Sequence, residues 1–430
     1  RAFTKSIESH YISEGGIEDA VYRIAAGKQI GSSETLTVGS GVATILVTTI
    51  GNQKTVRSEG KKGNIQQNLE TQIEVASAPP PSVSFNYGAQ VGSGGVEMSQ
   101  NSEIQGSVYS NGRIVGPSSS SNAKITGNAS AAGASAIENI IITGSAQANA
   151  IDGSVISGDA TSTVSISGTV AERGYANSVD NSVLNKDSFS DTLVSSVVNG
   201  KCYYQTQVDS VCILGEFPNT PFTPASNLPA LALPISDAQI NQWKTDAAAG
   251  GTISGNYSVD SNISLGPKKI TGDLLMTANN KTLTVTGTIY VQGNIDISNG
   301  SSIKCAVSYG AQSCVVLSDG WIHLSNNGTF SGSGTAGSFL MLLSLAAGSG
   351  HHGSAIDIHN NASGVIFYAG NGMVYLHNNV TVTDLVANKI HLENGAKIIY
   401  DTLLQNTNFG GGGGGGGGGS ADVKYWREVE

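Results

Sequence analysis

The sequence predicts a mainly β chain, most of it a parallel β-helix in two blocks, preceded by an N-terminal helix and a small antiparallel β region. Three observations predict this. The first is a frame of aliphatic, variable, aliphatic, variable, Asn, then Gly or Asn. It recurs at Ile295–Gly300, Ile322–Asn327, Ile356–Asn361, Val374–Asn379 and Ile390–Gly395. The alternating aliphatics put two side chains on one face of a short strand, and the Asn pair supplies the left-handed backbone of a turn. A strand this short buries its face only against a copy of itself, so the frames are expected to stack as coils with an Asn ladder between them. Their starts lie 27, 34, 18 and 16 residues apart, so loops of unequal length must leave some coils.

The second observation is a repeat of the form Ile-x-Gly-x-small or Val, beginning at Ile104, Ile125, Ile142, Ile151, Ile156 and Ile166 and returning at Ile253, Ile270 and Val285. Gly at its centre allows a sharp corner between two short strands of one coil, where a Cβ would strike the neighbouring coil. The third is composition. Charged residues are 13%, about half the usual share, and 56 of 430 residues are Gly. Disorder would share the low hydrophobicity, but not this periodicity.

In chain order, residues 1–30 read as a helix and its exit. Over Ser6–Ile24, Ile7, Tyr11, Ile12, Ile17, Ala20, Val21 and Ile24 fall at helical spacing. The Gly15-Gly16 pair weakens the middle by about 1 kcal/mol per Gly. Residues 31–82 alternate as antiparallel strands, with Gly51-Asn52 as a hairpin turn and Pro79–Pro81 as a stiff break. The first β-helical block spans 83–200. Residues 201–251 read as a disulfide loop, a Pro-rich connector and a helix opened by the capping box Ser236-Asp237-Ala238-Gln239. The second block spans 252–409, with the apolar run Phe339–Ala347 as a buried strand. Residues 410–430 hold ten consecutive glycines and a last strand, Val423–Val429.

Four cysteines form two close pairs, Cys202 with Cys212 and Cys305 with Cys314. Four allow three connectivities, of which two local bridges across hairpin-like loops are favoured, and this points to an oxidising, extracytoplasmic setting. Free thiols in a cytosolic protein are the alternative. A net charge of −10 without an interleaved basic cluster argues against a nucleic-acid partner. No apolar run approaches the ~20 residues of a membrane span, and the start at Arg1 suggests a segment removed upstream.

Aligning the five frames places their variable positions in two outward columns: Asp296, His323, Asp357, Tyr375, His391 and Ser298, Ser325, His359, His377, Glu393. Coils lie about 4.8 Å apart, so His359, His377 and Glu393 are candidate metal ligands, although a solvated polar face without metal or other cofactor is the expectation. Asp296, His323, Asp357, His359, Tyr375, His377, His391 and Glu393 together form the candidate ligand face, on which Tyr375 would stack on a sugar ring. An enzyme is not expected: Lys304 and Lys389 fall outside the columns, and Asp296 and Asp357 belong to separate coils.

The segment Glu8–Ile24, reading ESHYISEGGIEDAVYRI, resembles the region after the membrane helix in PilX-type minor pilin-like proteins of type IV pilus systems. Phe85–Gly88, Val108–Gly112, Leu233–Asp237 with Trp243-Lys244, and Tyr425–Glu428 carry the resemblance further. It implies a large surface version of that group with a bactofilin-style β-helical body. The expected role is structural and adhesive, at the cell surface or in a pilus. Partners would be other pilin subunits or assembly machinery met through the N-terminal helix, and surface glycans, with a membrane reached only through a segment upstream of Arg1. A secreted β-helix that binds or degrades polysaccharide is the alternative.

Overall fold

The computed structural model describes residues 2–25, 33–50, 53–75, 83–118, 122–325, 328–350, 353–359, 365–410 and 421–429. The expected Gly51-Asn52 turn, the Pro79–Pro81 break, the Asn pairs at 326–327 and 360–361 and the glycines from 411 onward lie outside them. The chain divides into two compact units, residues 1–81 with 414–430, and residues 82–413.

In the first unit a helix, α1 (Ala2–Ala25), lies on an antiparallel sheet of β1 (Ser33–Val38), β2 (Gly41–Ile50), β3 (Gln53–Lys62) and β4 (Ile65–Val75). The C-terminal strand Ala421–Glu428 pairs antiparallel with β4, so both ends of the chain build this unit. The helix passes unbroken through Gly15-Gly16. A Cβ on Gly16 would lie 2.3 Å from Ser58 Oγ, and one on Gly60 of β3 would lie 2.2 Å from the Ser9 carbonyl. Those two glycines let helix and strand backbones approach closely, which offsets the low helix propensity of Gly16. Ser13 Oγ donates to the Ser58 carbonyl at 2.6 Å and Ser9 Oγ to that of Ile65 at 2.9 Å. Ile12, Ile17, Ala20 and Ile24 are buried as expected, but Ile7 is exposed and Tyr11 is 63% exposed. Hydrophobic periodicity overlooks a face whose centre is Ser9, Ser13 and Gly16.

The second unit is a parallel β-solenoid. A representative coil has three short strands, Ala129–Ala131, Ala136–Glu138 and Ile141–Ile142. Each pairs in parallel with its counterparts in the coils before and after. The two runs of coils form one stack whose order differs from chain order. Strand Asp384–Leu392 pairs with Ala89–Met98, Leu385 opposite Ala89 and Leu392 opposite Met98. Lys397 likewise faces Glu103. The stack therefore rises from Thr252 to Ile399 and continues from Ala89 to Pro218, and the chain enters it at its middle.

Coils continue past residue 200 through Cys202–Tyr204, Thr206–Val208, Val211–Cys212 and Glu216–Pro218. The Cys202–Cys212 disulfide consequently ties two strands of a late coil rather than closing a hairpin-like loop. Cys202 continues the inward column Ala146, Ala160, Gly174, Ser188, and Cys212 the inward column Ile156, Val170, Leu184, Val198. The connector then runs back along the outside of the first run of coils and on to the second. Phe222 N–H donates to Asp191, Thr163 Oγ1 to Asn227, Tyr109 to the Pro229 carbonyl, Gln90 to that of Ala232 and Tyr368 to that of Ile235. At its end Ser236 caps α2 (Asp237–Ala249), accepting from Gln239 N–H at 3.3 Å. Ile240, Trp243 and Ala247 of α2 pack with Tyr290, Leu317, Phe339, Met341 and Phe409 into a second hydrophobic layer outside the solenoid.

The corner glycines stand where close approach requires them. A Cβ on Gly127 would lie 2.5 Å from the backbone of Gly106, one on Gly144 2.6 Å from that of Gly127, and one on Gly272 2.5 Å from that of Gly255. Gly127→Ala is expected to destabilise the solenoid by about 1–3 kcal/mol through overpacking against main chain that cannot yield locally. Chemical denaturation of the variant measures it. A polar ladder forms one residue after corner glycines of this kind. Asn128 Oδ1 accepts from Ser145 N–H (2.9 Å), Asn256 from Asp273 (2.9 Å), Asp273 from Asn294 (2.7 Å) and Asn294 from Trp321 (3.1 Å). Asn299 and Asn379 of the frames do supply left-handed turns, at φ 55° and 62°.

Asp384 is fully buried beside Ile366, and neither carboxylate oxygen has a hydrogen-bond partner of ordinary geometry. Burial pushes its carboxyl well above the usual range, and the adjacent Leu385 N–H offsets this only in part. A carboxyl raised on folding favours the folded state fully below its unfolded value, and that contribution is lost as pH rises through the folded value. Asp384→Val is therefore expected to raise stability at neutral pH by about 1–3 kcal/mol, the cost of an unsatisfied buried polar group. It should also flatten the dependence on pH. Urea unfolding of both proteins at pH 5 and pH 8 reads the two effects together.

Candidate functional site

All five frames directly follow one another as coils, and the seam adds a neighbour from the far end of the sequence. In the first column Asp296 faces His323, His323 faces Asp357, Asp357 faces Tyr375 and Tyr375 faces His391. His391 in turn faces Glu97. The aliphatics flanking each of these residues, such as Ile322 with Leu324 and Ile356 with Ile358, point into the core, so period-two alternation turns the column outward.

Side chains of both columns interlock. His323 Nδ1 lies 3.3 Å from Asp296 Oδ1. Asp357 is shared, with His359 Nε2 3.2 Å from one oxygen and His377 Nε2 2.8 Å from the other. His377 Nδ1 lies 3.5 Å from Glu393 Oε2, and Tyr375 OH donates to Glu393 Oε1. The rings of His359 and His377 stack with centroids 3.5 Å apart, and His323 stands edge-on to His359 at 5.2 Å. Ligand atoms of His323, Asp357 and His359 all lie within 4.8 Å of one another.

Two sequence expectations change here. Tyr375 is only 4% exposed, covered by His377 and His391 on either side, so its ring cannot stack on a sugar. Its hydroxyl is pushed above the ordinary tyrosine range by burial and by the Glu393 carboxylate. Lys389 does reach the face, its Nζ 2.8 Å from Glu97 Oε1, while His391 Nδ1 lies 3.1 Å from Glu97 Oε2. Burial would raise the Glu97 carboxyl, but hydrogen bonds from Lys389 and His391 outweigh it and hold it below the usual range. The candidate trio His359, His377 and Glu393 forms a chain through His377, whereas the compact cluster is His323, Asp357 and His359.

Sequence reasoning missed Glu97, which is 294 residues from His391 and joins the face only through the reordered stack. It also missed an aromatic ladder. Tyr175, Phe189, Tyr203 and Phe217 stack at 5.0, 4.6 and 4.8 Å, with rings within 16° of parallel. Their spacing of 14 residues, shared by hydrogen bonds such as Arg173 N–H to Asp159, was the available signal.

Residues 225–407 match a family described as a domain of unknown function, DUF7305. That segment begins within the connector and holds every candidate residue of the face except Glu97. No curated protein matches the chain. Among solved structures, the competence-associated pilin ComZ from Thermus thermophilus is similar over 99% of this chain and 98% of that chain, at 12% identity and a TM-score of 0.31.

Proposed function

We propose that this chain is a cell-surface structural and adhesive protein of a type IV pilus system, minor-pilin-like or a filament subunit, whose solenoid is the binding body. The observation that carries the reading is the helix-on-sheet unit built from both chain ends. The segment that resembles pilin-like proteins forms α1, whose buried face is completed by Ile12, Ile17, Ala20 and Ile24 while Ile7 and Tyr11 remain on its outer face. Exposed apolar residues on a helix offer a packing surface to other subunits. The two disulfides support an oxidising location outside the cytoplasm. Among the described residues no helix is long and apolar enough to cross a membrane.

In this reading the solenoid face binds rather than catalyses. Each of its carboxylates is already engaged: Asp296 with His323, Asp357 with His359 and His377, Glu393 with Tyr375, Glu97 with Lys389 and His391. Surface glycans remain candidate ligands through these polar groups, without ring stacking on Tyr375. The test is a double variant, Ile7→Ser with Tyr11→Ser, expressed in the native cell. Because both side chains are exposed, folding should change by no more than about 0.5 kcal/mol. Wild-type protein is expected in the sheared pilus fraction, detected by an antibody against the solenoid, and the variant is expected to be depleted from it. Wild-type protein confined to the cytoplasm overturns the reading.

A further inference from the structure

We infer that Asp357, His323 and His359 form a binding site for one divalent transition-metal ion of the zinc type. The donor set is two imidazoles and one carboxylate, nitrogen and oxygen ligands that suit zinc and its first-row neighbours rather than calcium or magnesium. The ligand atoms lie within 4.8 Å of one another, and tetrahedral bonds of about 2.0–2.2 Å need only side-chain rotation to draw them together. All three side chains stand on short strands of adjacent coils, Ile322–Leu324 and Ile356–Ile358, or one residue beyond, so the backbone that carries them is fixed by the parallel ladder.

The surroundings supply the orienting groups that such sites use. A metal-bound imidazole usually gives its other ring nitrogen to a carboxylate. His323 Nδ1 already faces Asp296, which leaves Nε2 as its open ligand atom. His377 occupies the second oxygen of Asp357 at 2.8 Å and is itself backed by Glu393, so the shared carboxylate is held through the oxygen that His359 does not meet. Stacking of His377 on His359 limits rotation of the latter ring. Asp296, Asp357 and Glu393 give this part of the face a negative bias that favours a cation. The three ligands are partly exposed, so an ion would retain coordination positions open to solvent or to a group on a partner.

The test is calorimetric titration of the full chain, stripped with chelator and desalted, with zinc chloride. One equivalent is expected to bind, and acidification should weaken it because imidazole must release its proton to coordinate. Asp357→Asn, His323→Gln and His359→Gln are each expected to lower affinity at least tenfold. Asp296→Asn should lower it about 10- to 100-fold as a positioning residue. His391→Gln, on the same face but paired with Glu97, should bind as wild type. Circular dichroism checks that each variant is folded, and if Asp357→Asn is not, the two histidine variants decide. Absence of zinc binding by the wild type, wild-type affinity in the ligand variants, equal uptake of magnesium or calcium, or loss of binding in His391→Gln overturns the assignment.

Discussion

Trp243→Ala is expected to cost about 3–5 kcal/mol, the range for removing a buried aromatic without collapse of its site. Trp243 is 1% exposed in the layer between α2 and the outer face of the solenoid and meets Phe409 edge-on at 5.4 Å. The helix has few other anchors, since only Ile240 and Ala247 are buried with it. Its loss should release α2 selectively, because solenoid stability is roughly a sum over coils and their immediate neighbours. Hydrogen exchange should rise across Asp237–Ala249 and stay slow in the 14-residue coils from Ala146 onward. Fluorescence gives a second readout, as Trp321 and Trp426 are both half-exposed and Trp243 is the buried emitter. Unchanged protection of α2 in the variant would show that the connector alone holds it.

Removing the Cys305–Cys314 bridge by replacing both residues with Ala should cost about 3 kcal/mol, from loop-closure entropy for so short a loop. The bridge joins strand Ser302–Cys305 to strand Cys314–Ser318 around the turn Val307–Tyr309, and both sulfurs are buried in the solenoid core. Alanine leaves no polar group there, so the loss reports the cross-link and a small cavity. In wild-type protein, equilibrium unfolding with and without reductant should show a drop at least this large, since reductant opens Cys202–Cys212 as well. Peptide mapping without reduction should recover Cys202–Cys212 and Cys305–Cys314; four free thiols would contradict the proposed location as well as the fold.

Much of the face was legible because a column is a one-dimensional property. Each frame repeats the same alternation, so aligning frames in sequence aligns Asp296, His323, Asp357, Tyr375 and His391 in space. Unequal loops do not disturb that alignment, since they leave the coil between strands. What a column does not carry is exposure. Tyr375 occupies an outward position yet is covered, because His377 and His391 extend over it from the neighbouring position and coil. Partner choice is equally hidden: Asp357 could have met either neighbour, and side-chain reach across about 4.8 Å decided that it holds His359 and His377.

The sequence by itself determined the parallel β-solenoid, its corner glycines and the cap of α2, and it favoured the two local disulfides among three connectivities. Each depends on residues close in the chain or on a repeat whose phase is written locally. The order of the coils was decided only by tertiary structure. Nothing local to Asp384–Leu392 or to Ala89–Met98 distinguishes its partner from any other strand with inward aliphatics, since parallel pairing uses backbone groups that every strand presents. The choice follows from closing the stack: a connector hydrogen-bonded back along the earlier coils delivers the chain to the far end, and the last coil it can then build meets the first. That closure brings Glu97 to His391 and lets residues far apart in sequence share one face.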